Sequence, residues 1–89
     1  MSPKPLTSAQ IRAARALIRW SALQLAEKTA VGVTTIRRAE LTASETKLTR
    51  VNDQAIRRVL EAAGVEFIDE NGGGPGVRLR DVTTKEKLE

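Results

Sequence analysis

A chain of 89 residues has apolar side chains for one small core only, and dimerisation would add burial that so short a chain lacks. The absence of cysteine and histidine excludes disulfides and cysteine-ligated zinc or iron-sulfur sites, and it removes the commonest general base and metal ligand. The net charge of +4 is unevenly placed: residues 1–50 hold nine Lys/Arg against three acids and residues 51–89 six against eight, so a polyanion is drawn to the first half.

Residues 1–6, with Pro3 and Pro5, read as a flexible, unstructured lead. Thr7 and Gln10 have capping-box spacing and open a first helix, in which Ile11, Ala14, Leu17 and Ile18 form an apolar stripe with Arg12, Arg15 and Arg19 off it. Ser21 and Gln24 repeat the start signal at once, so a second helix follows after a sharp corner, turns Leu25 and Ala26 inward and ends near Thr29. A third short helix is predicted over residues 33–41, with Ile36 and Ala39 apolar. The polar residues 42–48 read as a loop.

Thr49 then caps a helix running to Ala63, where Val51, Ala55, Ile56, Val59, Leu60 and Ala63 recur at three-and-four spacing and Gly64 supplies the stop. The period next changes to two. In VEFI and VRLR, Val65 and Phe67 share a face, as do Val77 and Leu79, with NGGGPG as the connecting loop of a hairpin over residues 65–80. A lone two-stranded hairpin is marginal in water, so this one should pack on the last helix or on a partner chain. The tail, residues 81–89, is polar, and Leu88 and Glu89 have the look of vector-derived residues.

Nothing in the sequence asks for catalysis. Asp69 and Glu70 are adjacent near a turn, Asp53 and Glu61 read as helix-surface charges, and no nucleophile or base converges with them. The GGG run lacks the Lys-Ser/Thr pair and helix start of a phosphate loop. No cofactor and no metal are expected. Neither a signal-like apolar run nor a stretch long enough to cross a bilayer occurs, so a cytoplasmic protein with no membrane partner is the default.

The segments LTSAQIRAARALIRWS, LAEKTAVGVTTIRRAE and IRRVLEAAGVEFI carry a helix, tight-turn, helix pattern: Ala26 is small where the next helix crosses, Val31 is apolar in the turn, and Ile36 and Ala39 face inward. Over roughly residues 6–64 this resembles the Cro and phage-repressor-like (XRE) helix-turn-helix family. The resemblance implies a mainly α, lambda-repressor-like domain of four to five helices, residues 7–64, followed by the short β-hairpin as a possible dimerisation element. It also implies that the third helix lies in the major groove of double-stranded DNA.

Carried over residue by residue, Val33, Thr34, Arg37 and Arg38 become base contacts, with Arg38 favoured for a base edge and Arg37 for base or phosphate. Arginine can grip guanine with two hydrogen bonds, and the methyl groups of valine and threonine can meet thymine. Ser21, Gly32, Thr35, Lys47 and Arg50 become phosphate contacts. Arg15 and Glu40 match a pair that closes inside the domain. Trp20, alone at a helix junction, reads as packing rather than base stacking. For Arg37 and Arg38 the competing use is a solvated helix face.

Three positions depart from the family pattern. Ala30 stands where a turn glycine is usual and Gly32 where a capping serine or threonine is usual, and Ala22 replaces a phosphate-binding glutamine. The expected protein is a sequence-specific transcriptional regulator, a homodimer reading an inverted repeat. The rival is a helix-turn-helix protein-interaction module, with Phe67, Ile68, Val77 and Leu79 as dimer or partner contacts.

Overall fold

The computed structural model describes residues 4–80. The expectations for residues 1–3 and for the tail, residues 81–89, lie outside the described residues. Four helices and one hairpin follow in chain order: α1 (Ser8–Ile18), α2 (Ala22–Thr29), α3 (Val33–Glu40), α4 (Arg50–Ala62), β1 (Val65–Ile68) and β2 (Gly76–Leu79). The fold is therefore mainly helical with a short antiparallel hairpin at its C-terminal end, and four helices are present among the described residues.

The starts of α1, α2 and α4 are written locally. Thr7 and Ser21 both form complete capping boxes with Gln10 and Gln24, and the Thr49 hydroxyl accepts from the Asn52 amide. The ends of α1, α2 and α4 are set by backbone reversal, whereas α3 ends at Leu41 with φ −97°. α1 stops at Arg19 and α2 at Ala30, both at φ 61°, and Gly64 takes φ 107° after α4. Only Gly64 occupies this left-handed region without the steric cost that a β-carbon brings.

The core gathers Ile11 and Ala14 of α1, Leu25 and Ala26 of α2, Val31 of the turn, Ile36 of α3, Ile56 and Leu60 of α4, and Val65 of β1. Leu6 joins them at 1% exposure. The reading of residues 4–6 as part of an unstructured lead is thus corrected. Leu6 has a core site to fill, and its amide donates to the Asp53 carboxylate at 3.0 Å.

Two stripe positions are corrected as well. Leu17 is 38% exposed and Val51 74%. At the end of α1, Ile18 packs on the core and Leu17 lies off that line. In α4 the buried line runs Asp53, Ile56, Leu60, so the first-turn inward place belongs to Asp53 and Val51 points away. Asp53 is therefore not the surface charge that its sequence position implies.

The hairpin pairs Val65 with Leu79 and Phe67 with Val77, which puts the four apolar side chains on one face as the period-two pattern requires. Its second strand begins at Gly76, one residue earlier than expected, because the register opposes Gly76 to Ile68. Gln10 ties the sheet to α1: its Nε2 donates to the carbonyls of Ile68 at 3.2 Å and Gly76 at 3.1 Å. The Arg80 amide closes the base on the Gly64 carbonyl at 2.8 Å. On the outer face Arg78 and Glu66 form an exposed ion pair at 3.0 Å, whose hydrogen bond holds the Glu66 carboxyl below its ordinary pKa.

Phe67 and Val77 are half-buried and pack against the protein's own core, with Arg57 over the Phe67 ring at 5.2 Å, the first of the two supports expected for the hairpin. The hairpin finds its support within the chain. Ile68 and Leu79 are half-buried.

Candidate nucleic-acid interface

α3 packs on α2 and α1 and is pinned from below. Ile36, Ala39 and Glu40 are buried, whereas Thr34, Arg37 and Arg38 are exposed, as is Leu41 just past its end. Residues 34, 37, 38 and 41 follow the three-and-four spacing of one helix face. That face is outward.

The pin is the Arg15–Glu40 pair. Arg15 Nε donates to Glu40 Oε2 at 2.7 Å and Nη2 to Oε1 at 2.8 Å, so two parallel bonds fix both side chains. The remaining nitrogen, Nη1, donates to the Trp20 carbonyl at 2.8 Å. Hydrogen bonding to Glu40 raises the Arg15 pKa against the desolvation that lowers it. Arg15 is thereby committed to the interior, as the pattern of the resemblance implies.

Arg12, although exposed, is also engaged within the chain, which sequence reasoning missed. Its guanidinium donates to the Ser8 hydroxyl at 2.8 Å and to the backbone carbonyl of Glu40. The Ser8 to Arg12 spacing of four was a legible signal, but the Glu40 carbonyl is 28 residues away. By contrast, neither Arg37 nor Arg38 forms an ion pair or side-chain hydrogen bond among the described residues.

The approach to α3 differs from that of the other helices. Gly32 stands at its N-cap with φ −59° and offers no side-chain acceptor, so the first amides of α3 are left without a side-chain cap. Such amides attract an anion. Ala30 makes the preceding turn at φ 61°, ψ 19°, its amide donating to the Ala26 carbonyl. The Thr29 hydroxyl reinforces the corner by accepting from the Val31 amide at 3.2 Å.

The other expected contact residues divide. Val33 and Thr35 are half-buried, and Val33 packs on the core, so its reach toward a base is shorter than the resemblance implies. Ser21 is exposed; its oxygen accepts from the Gln24 amide at 3.0 Å, which leaves the hydroxyl proton for a further acceptor. Lys47 and Arg50 are exposed at the loop before α4 and the start of α4, and Lys47 has φ 63°. Trp20 is half-buried against the core with Lys28 over its ring at 5.3 Å, a packing role. No helix of the described residues is long and apolar enough to cross a membrane. In comparison with known proteins, no family model and no curated protein matches this chain.

Proposed function

We propose that the chain is a sequence-specific double-stranded DNA-binding regulator of the helix-turn-helix type, with α3 laid in the major groove. One observation carries the reading: Thr34, Arg37 and Arg38 share the outward face of a helix anchored from beneath by Ile36, Ala39 and the Arg15–Glu40 pair. Long cationic side chains with no internal partner on a rigidly seated helix fit base and phosphate recognition. The uncapped start of α3, with Ser21, Lys47 and Arg50, supplies phosphate contacts.

A homodimer would read an inverted repeat with half-sites about 10 base pairs apart. The large apolar side chains left exposed away from the outward face of α3, Leu17, Leu23 and Val51, are the places to look for its contacts. The same exposure favours the second reading, a module that binds another protein. That module would form a one-to-one complex persisting at high salt.

Fluorescence anisotropy with the DNA upstream of the gene, against a scrambled duplex at about 150 mM salt, separates the two. A preference of about a hundredfold or more supports the DNA reading. Arg38→Ala should then lose that preference, and Lys47→Ala should weaken both duplexes alike. Equal weak binding of both duplexes by the wild type overturns it.

A further inference from the structure

Residues 4–8 form a strap between α4 and the α3–α4 loop, and it is stitched on both sides. On the α4 side, the Asp53 carboxylate accepts the Leu6 amide at 3.0 Å and Arg57 Nη2 donates to the Lys4 carbonyl at 2.7 Å. On the loop side, the Ser8 amide donates to the Ser44 carbonyl at 2.8 Å, and Thr7 bridges Glu45 in antiparallel fashion. Leu6, fully buried, anchors the strap between these two sets of bonds.

The loop so held has its own constraint. Thr46 is buried and its hydroxyl accepts the Leu48 amide at 3.2 Å, while Lys47 between them takes φ 63°. A residue with a β-carbon does not stay in that region unless its surroundings hold it there. The strap supplies bonds immediately before it, at Ser44 and Glu45. Asp53 is buried, and the strap amide is the hydrogen bond its carboxylate makes among the described residues.

We infer that Asp53 is a positioning residue for phosphate contact: through the Leu6–Ser8 strap it fixes the α3–α4 loop in the form that presents Lys47 to DNA. This rests on the DNA-binding reading above. Asp53 itself touches no DNA, and its influence is sequence-independent because Lys47 reads backbone and not bases.

The test combines amide hydrogen exchange with DNA binding, both on the full chain. Asp53→Ala should speed exchange at Leu6 and Ser8. It should also weaken binding to the upstream and scrambled duplexes by roughly fivefold each, with a salt slope lower by about one. A smaller folded fraction would not change that slope, and circular dichroism fixes the fraction. Asp53→Asn, which keeps an oxygen acceptor, should restore most of the affinity.

Ser8→Pro cuts the loop-side bond at a first helical position that tolerates proline, and Ser8→Ala, which keeps the amide and loses only the buried hydroxyl that accepts from Arg12, is its control, so the pair reports on the strap if Asp53→Ala does not fold. Ser8→Pro should lower affinity on both duplexes in the same way. In a Lys47→Ala background, Asp53→Ala and Ser8→Pro should add nothing further, since the group they position is gone. Additive losses, or unchanged exchange at Ser8, overturn the inference while leaving the DNA reading intact. A wild type that binds neither duplex specifically overturns both, and exchange then reports only whether the strap is coupled to the loop.

Discussion

Ala30→Gly should stabilise the protein. Ala30 ends α2 at φ 61°, ψ 19°, and its side chain is exposed. The left-handed region costs an L-residue about 1–2 kcal/mol, a cost glycine does not bear. Against this, glycine adds about 0.4–1 kcal/mol of freedom to the unfolded chain. Because an exposed methyl gives up no buried contact, the net gain is about 0.5–1 kcal/mol. Ala63, which caps α4 at φ −84°, ψ 0°, is the internal control. There glycine loosens the unfolded state and gives up a half-buried methyl with no strain to relieve, so Ala63→Gly should destabilise by about 1 kcal/mol. Urea unfolding at constant slope reads both changes, and a thermal melt should rise by roughly 2–8 °C for Ala30→Gly. A less stable Ala30→Gly variant, or a shift of both variants in one direction, would refute the assignment of strain to Ala30.

Glu40→Ala strands the Arg15 guanidinium and should cost about 3 kcal/mol in urea unfolding, toward the lower end for a broken buried pair because Arg15 keeps some solvent access and the Trp20 carbonyl. Replacing both partners, Arg15→Met with Glu40→Leu, should cost less than Glu40→Ala alone, and the opposite order would sink the stranded-charge account. Leu6→Ala should lose about 2–5 kcal/mol, whereas a loss below about 1 kcal/mol would return residue 6 to a dispensable lead. Burial raises the Asp53 pKa above its ordinary value, against the lowering effects of the Leu6 amide and Arg57. The native state then binds its proton more tightly than the unfolded state, and this contribution to stability is lost as pH rises through the folded pKa. Unfolding of wild type and Asp53→Asn between about pH 3 and pH 7 should show the difference shifting in favour of the asparagine variant as pH rises; a shift the other way would contradict the desolvation argument.

The capped helix starts and the shared apolar face of each strand were legible in the sequence because each depends on groups only a few residues apart. Thr7 with Gln10, Ser21 with Gln24 and Val65 with Phe67 state their structure within one turn or one strand. The outward placement of Thr34, Arg37 and Arg38 was legible for the same reason, since Ile36 and Ala39 determine which side of α3 is inside. Val33 was harder to place. Its position on the helix allowed a base contact, and only the neighbouring core shows it half-covered.

The sequence by itself determined where the capped helices begin, the outward side of α3 and the shared apolar face of each hairpin strand, because short-range capping and periodicity are written in adjacent residues; the register, which opposes Gly76 to Ile68, came only with the tertiary structure. Tertiary structure decided the rest: that Leu6 belongs to the core, that Asp53 is buried beneath the strap, that Arg12 serves the Glu40 carbonyl, and that Phe67 and Val77 turn inward. Each of these joins groups far apart in the chain, 47 residues for Leu6 and Asp53. A hydrogen bond or apolar contact of that span exists only after the helices have packed, so its partners leave no pattern in the local sequence.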